Sequence, residues 1–197
     1  MASNNIGKTF EQEFKECVPP DYYLYRLKDD TSGFYGVSNP CDYILFRSPY
    51  LFLVELKTHK GKSIPIAKIR PNQIQGMEKA TQYEGVYGGF LINFRELEET
   101  YYITVQDVIQ FTQTEERKSI PVEWCRDHGV KIDQKKKRVR YSYDLESWLS
   151  RYYTSSMSVI DKISDTITVN KIATIDRVID TVMRGNHKGG VKAYGSK

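Results

Sequence analysis

The feature that most constrains this chain is the stretch NPCDYILFRSPYLFLVELKTHKG, residues 39 to 61. Two apolar runs of strand length, about 41–47 and 51–58, meet at Ser48-Pro49, which reads as a hairpin on its way into a core. Yet Asp42, Glu55 and Lys57 lie within or beside these runs. Ionised groups are expensive to desolvate unless they are paired or bound to a metal. Whatever fold forms must therefore bring these charges to one another or to a ligand.

The flanking segments predict what surrounds the hairpin. Ile6, Phe10, Phe14 and Cys17 recur at helical spacing until Pro19-Pro20, so a first helix is expected there. YYLYRL (22–27) alternates like a strand, and KDDTSGFYGVSNP is rich in turn residues. THKGKSIPIAKI reads as a basic loop or extended segment, and RPNQIQGMEKATQYE as a helix with Pro71 in its first turn. GVYGGFLINF and TYYITV are strands about the charged turn RELEE, and VQDVIQFTQ is a short helix. This order predicts an α/β fold, a mixed central β-sheet flanked by helices.

Residues from about 115 to 140 are polar and basic, and YDLESWLSRYY (143–153) reads as a short aromatic helix. Between 155 and 183 aromatics thin out and Ile and Val repeat. Ile160, Ile163 and Ile167 share one helical face, and Ile172, Ile175, Ile179 and Val182 another. The two sets are out of phase in a heptad frame, so one or two amphipathic helices are expected rather than a coiled coil. The predicted organisation is a main domain over 1–153, a helical extension over 154–184 and a flexible basic tail over 185–197.

Composition narrows the partners. At 40% hydrophobic and 27% charged residues a packed core is expected, and a net charge of +4 permits an anionic partner without demanding one. Cys17, Cys41 and Cys125 are widely spaced and only three histidines are present, which argues against a Cys/His zinc site or a disulfide framework. There is no apolar signal segment in MASNNIGKTFEQEF and no run near the roughly 20 residues that span a bilayer. A soluble, cytoplasmic protein in a reducing compartment, with no membrane partner, is expected.

Glu55 and Lys57 are two apart, so on a strand they project from one face while Val54, Leu56 and Thr58 project from the other. With the turn near Ser48-Pro49, Asp42 falls beside Glu55. Two carboxylates suit a hard cation such as Mg²⁺. Such a cation activates water and neutralises phosphate charge, while a lysine adds a positive point charge at the attacked phosphorus. These are the parts of a phosphodiester hydrolase. The bland alternative is a solvated E-x-K pair of little consequence.

The pattern D-x12-E-x-K resembles the PD-(D/E)xK nuclease superfamily, with Pro40 two residues before Asp42. The wider order of CDYILF, VELKTHKGKSIPI, NQIQGMEKA and ERKSIPVEW, over roughly residues 5 to 150, resembles more specifically the RecU-type Holliday-junction resolvases of Gram-positive bacteria and their phages. The resemblance implies a restriction-endonuclease-like domain. Asp42 and Glu55, with the Leu56 carbonyl as third ligand, would bind Mg²⁺, with Mn²⁺ as an alternative, and Glu11 on the first helix would take the family's N-terminal acidic position as a ligand or water contact. Lys57 would orient the attacking water or stabilise the pentavalent phosphate, and Gln73 would help position Lys57 or the phosphate. It also implies a homodimer acting on branched DNA, with a 5′-phosphate product.

Two features depart from the family. A long stalk precedes the first metal aspartate there, whereas KDDTSGFYGVSNP leaves room only for a short one; the Ile-rich segment after 155 has no counterpart. The first keeps open a nuclease of other specificity, restriction-type or flap- and fork-cutting; the second keeps open a non-catalytic DNA-binding assembly module. Lys8, Lys60, Lys62, Lys68, Arg70, Lys136 and Arg138 are candidate DNA contacts, with ordinary solvated loops and a hairpin turn as the alternative. Gly7-Lys8-Thr9 lacks the first glycine of a Walker A loop, so no nucleotide cofactor is expected and a helix capped near Asn4 or Asn5 is the simpler account. His59, His128 and His187 lie far apart and are expected to be structural or exposed, and most of the 15 tyrosines to pack core and sheet.

Overall fold

A computed structural model describes residues 3–27 and 39–153. The chain divides into two compact units, Met1–Leu149 and Ser150–Lys197. The first holds every element from α1 to β10 below; the expected helical extension over 154–184 and the tail over 185–197 lie outside the described residues.

The elements are α1 (Ser3–Cys17), β1 (Tyr23–Arg26), β2 (Tyr43–Arg47), β3 (Tyr50–His59), β4 (Ser63–Pro65) and a 3₁₀ turn (Ile66–Lys68). There follow α2 (Pro71–Ala80), β5 (Val86–Phe94), β6 (Glu99–Thr104), α3 (Val105–Thr114), β7 (Ser119–Pro121), α4 (Val122–His128), β8 (Val130–Ile132), β9 (Gln134–Lys136) and β10 (Tyr141–Tyr143). A further helix starts at residue 145.

The main sheet has the order β1-β2-β3-β5-β6-β8. Only β3 and β5 are parallel, and α2 makes the crossover that a parallel pair requires. The sheet is therefore mixed and flanked by helices, as the segment order predicts. β3 is its central strand, buried from Phe52 through Leu56, which explains why its sequence is nearly continuously apolar rather than alternating.

Each face has its own core. On one side Leu53, Phe90, Ile92, Phe94 and Ile103 pack with Met77 of α2, Val108 and Phe111 of α3 and Cys125 of α4. On the other, Phe14 of α1 meets Tyr43 at 5.3 Å between ring centroids, and Trp148 packs on Tyr102 at 4.6 Å. The alternation of β2 and β3 thus puts Tyr43 and Val54 toward α1, and Asp42 and Glu55 toward α2.

The structure corrects the sequence reading in several places. Helix α1 starts at Ser3, so Asn4 and Asn5 lie inside it rather than capping it. The polar and basic segment from 115 to 140, for which the sequence reading gives no elements, holds β7, α4, β8 and β9. Three-residue strands are too short for periodicity to show. Two of them are the same tripeptide, Ser-Ile-Pro, at 63–65 and 119–121, paired antiparallel with Ile64 opposite Ile120 and both isoleucines buried. This ribbon anchors the basic segment after β3 to the body of the protein.

Candidate active site

Strand register builds the site. β2 pairs with β3 up to Tyr43 opposite Val54, so the next residues inward, Asp42 and Glu55, face one another. The chain before Asp42 is pinned to α2: Asn72 Nδ2 donates to the Asn39 carbonyl at 3.1 Å, and Pro40 lies against Gly76. A Cβ at Gly76 would come within 2.6 Å of the proline ring, so only glycine admits this approach.

Beyond Val54, β3 has no β2 partner, and the Asp42 side chain takes its place. The Leu56 N–H donates to Asp42 Oδ2 at 2.8 Å. In an extended strand the N–H and C=O of one residue point to the same side, so the Leu56 carbonyl also faces the Asp42 side. Lys57 Nζ donates to Glu55 Oε1 at 2.7 Å. Glu55 is only 2% exposed, and its second oxygen, Oε2, is buried with no hydrogen-bond partner. Gln73 of α2, equally buried, accepts from the Arg70 N–H at 3.1 Å through Oε1. Its side chain approaches Glu55 and favours the ionised carboxylate, yet without the geometry of a full hydrogen bond, so Oε2 stays orphaned.

The electrostatics follow from this packing. Burial pushes the Glu55 carboxyl above its usual range, and the neighbouring Asp42 charge pushes the same way; Lys57 and Gln73 pull it back only in part. Burial, together with Glu55 and Asp42, also raises the Cys41 thiol to about 12, so this cysteine is an inert neighbour. A buried carboxylate oxygen without a partner is costly. A divalent cation between Asp42, Glu55 and the Leu56 carbonyl would resolve that cost with hard oxygen donors of the kind Mg²⁺ prefers. The residues therefore fit such a metal.

The other expected residues separate into groups. Glu11 is not brought into this set: its carboxylate pairs with Arg26 at 3.1 Å, and Arg26, opposite Tyr43, projects toward the α1 side of the sheet. Among the described residues no cluster of three or more His, Cys, Asp or Glu side chains is placed to hold a metal. The Glu11 carboxylate is engaged by Arg26 in a part-exposed ion pair, and Arg26 also feels the Asp42 charge. Lys8, Lys60, Lys62, Lys68 and Arg70 are all exposed, the last four on the segment between β3 and α2. Lys136 is committed to Glu98 at 2.9 Å and lies over the Tyr141 ring; Arg138 sits in the exposed turn between β9 and β10. Tyr23, Tyr25 and Tyr83 are exposed, whereas Tyr22, Tyr43, Tyr50, Tyr101, Tyr102, Tyr141 and Tyr143 are buried.

Sequence reasoning passed over Glu13, which is fully buried. Arg95 clamps it through two hydrogen bonds of 2.6 and 2.8 Å, the Tyr141 N–H donates at 2.9 Å and the Tyr143 hydroxyl at 3.1 Å. An acid between Phe10, Phe14 and Cys17 on the apolar stripe of α1 was the available signal.

The profile of the family described as Recombination protein U matches residues 24–147. The SPbeta prophage-derived uncharacterized protein YotM of Bacillus subtilis (strain 168) is 35% identical over 166 residues, covering 74% of this chain and 85% of that protein. Holliday junction resolvase RecU of Streptococcus pneumoniae (strain P1031) is 32% identical over 119 residues, 59% of this chain, and the chain spans 60% of that resolvase's length. A solved structure of the Holliday junction resolvase Hjc from Archaeoglobus fulgidus has 14% identity and a TM-score of 0.45, covering 63% of this chain and 93% of that one. The profile match runs from β1 to the helix at 145, through Asp42, Glu55, Lys57 and Gln73, and the chain belongs to the Recombination protein U family.

Proposed function

We propose that this protein is a Mg²⁺-dependent endonuclease that resolves Holliday junctions and related branched DNA as a homodimer. The observation that carries the reading is the orphaned Glu55 Oε2, buried beside Asp42 and two residues from Lys57. Membership of a family that includes Holliday junction resolvases supports the substrate class. A divalent cation, when bound, would neutralise charge at the scissile phosphate and acidify a bound water; Mn²⁺ is the alternative ion.

The chain's own residues supply the rest. Asp42 and Glu55 hold the cation side, with the Leu56 carbonyl completing the protein ligands. Asp42 is fixed by the Leu56 N–H. Lys57, anchored on Glu55, presents its ammonium toward the attacked phosphate, where it stabilises the charge that develops in the transition state. Gln73 keeps Glu55 in place from α2 and acts as a positioning residue. Water breaks the P–O bond on the 3′ side, leaving a 5′-phosphate on the product. Two symmetric nicks across a four-way junction call for two such sites, which a dimer with twofold symmetry provides.

The test is cleavage of a mobile four-way junction and its matching linear duplex, with Mg²⁺ or EDTA, by the wild type and Asp42→Asn. Paired symmetric nicks on the junction alone, lost with EDTA and lost in the variant while binding persists, are expected. A second reading, a nuclease of other specificity, is favoured by the short link from β1 to Asp42, too short for a long stalk. Equal cutting of duplex, flap or fork would establish it instead. Binding without cutting of any substrate would sink both.

A further inference from the structure

Past Lys57 on β3, the next side chain on the same sheet face is His59, roughly 7 Å further along the strand. It lines a pocket of about 240 Å³ with Ile6, Thr58, Lys60 and Lys68. Lys68 Nζ lies 3.0 Å from His59 Nδ1. An ammonium has only donors, so Nδ1 is the acceptor and the imidazole carries its proton on Nε2. Burial and the Lys68 charge hold the ring below its usual range, with Glu96 opposing less strongly. His59 is thus a neutral ring, fixed in one tautomer, whose other edge is an N–H donor.

That donor edge lies over Gly61. A Cβ there would already stand 3.4 Å from Nε2, and glycine leaves the N–H uncovered. An oriented N–H donor, one ammonium locked against the ring and a second, Lys60, on the same wall form a cradle for a tetrahedral oxyanion. Two basic side chains held in contact repel when both are charged, and a bound anion turns that cost into a gain. The spacing from Lys57 is about that between neighbouring phosphates of one extended strand.

We propose that His59, Lys68 and Lys60 form a discrete phosphate subsite that grips the phosphate next to the one cut. His59 acts as a positioning residue: it fixes the strand so that the scissile phosphate falls at Lys57. The proposal rests on the nuclease reading only for the identity of the polymer that carries the phosphate.

The test uses the full chain. Inorganic phosphate is titrated into metal-free wild type while the imidazole nitrogens are followed by NMR, with chloride at equal ionic strength as the control. His128, whose ring stacks on Trp124 at 4.3 Å, is the internal reference. A saturable shift of the His59 Nε2 signal with phosphate, absent with chloride and absent from His128, is expected. In cleavage, His59→Phe should raise KM for DNA about tenfold, the worth of one hydrogen bond to a charged group, and by more than it lowers kcat. Gly61→Val, which covers Nε2 and leaves both basic residues in place, should do the same. No His59 response to phosphate, or KM unmoved in both variants, overturns the subsite. The titration needs neither metal nor substrate. A phosphate response in a protein that cuts no DNA would keep the subsite and remove the nuclease; cutting without a response would do the reverse.

Discussion

Among the described residues two glutamates are buried, and their surroundings could hardly differ more. Glu13 on α1 is 0% exposed and both its oxygens are filled, by the Arg95 guanidinium, the Tyr141 N–H and the Tyr143 hydroxyl. Glu55 on β3 is 2% exposed, yet one oxygen has Lys57 and the other, Oε2, has no hydrogen-bond partner, with Gln73 approaching the carboxylate short of one. Burial by itself would raise both carboxyls. At Glu13 the combined hydrogen bonds and the Arg95 charge outweigh burial and bring the pKa below its usual value. At Glu55 burial and Asp42 win, and the pKa rises. A carboxylate whose needs are met by its own chain ties α1, the β5–β6 turn and the β9–β10 hairpin together. One with an unpartnered buried oxygen keeps that oxygen open to a ligand.

The largest expected effect separates the two by what each substitution destroys. Glu55→Gln should lower cleavage by about 10³-fold or more, by analogy with the loss of a single stabilising group at a reacting centre. Its stability should match or exceed that of the wild type, because the fold already disfavours the ionised form. Glu13→Gln should reverse the pattern. It strands the Arg95 charge against a neutral amide and should cost about 3–5 kcal/mol in urea unfolding, with the chemistry of the remaining folded protein intact. If Glu13→Gln unfolds within about 1 kcal/mol of the wild type, the clamp is not structural and the contrast fails.

A metal sharpens the comparison at a smaller scale. Mg²⁺ at about 100 times its Kd should stabilise the native wild type by roughly 2.7 kcal/mol, seen as a higher Tm that EDTA reverses. Asp42→Asn and Glu55→Gln should lose this shift and Glu13→Gln keep it. An equal shift in all four proteins would place the ion elsewhere.

The smallest effect is in pH, and its sign differs between the two sites. Glu13 has a lowered folded pKa, so its contribution is present above the unfolded value of about 4.3 and is lost as pH falls through the folded pKa. Glu55 has a raised folded pKa. Its contribution is fully present below about 4.3 and is lost as pH rises through the folded pKa. Without metal, the gap between wild type and Glu13→Gln should therefore close as pH is lowered, and Glu55→Gln should gain on the wild type as pH is raised. Urea unfolding from pH 3 to 8 in EDTA reads both; parallel curves for the two variants would remove the electrostatic basis of the comparison.

Much of the architecture was legible beforehand. The order of elements from α1 to α3, the hairpin at Ser48-Pro49 and the first-turn Pro71 all follow from patterns carried by consecutive residues. So did the meeting of Asp42, Glu55 and Lys57, since strand alternation and one hairpin register settle it. What sequence could not supply depended on distant partners. The two Ser-Ile-Pro strands pair across more than fifty residues, and α4 forms in a segment whose composition reads only as polar and basic. The pairing of Glu11 with Arg26, from the adjoining strand, likewise joins residues fifteen apart that no local pattern links.

By itself, then, the sequence determined the local periodicities, the placing of three charges in an apolar hairpin and their common face, because these depend on spacing along one strand or one turn. Only the tertiary structure decided which buried acid is satisfied and which is not. That depends on whether a guanidinium, a backbone N–H or a hydroxyl from elsewhere in the chain reaches the carboxylate. For Glu13 they arrive from residues 95, 141 and 143. For Glu55 Oε2 no hydrogen-bond partner does, and in a buried site that difference separates an acid held by its own chain from one with an open oxygen.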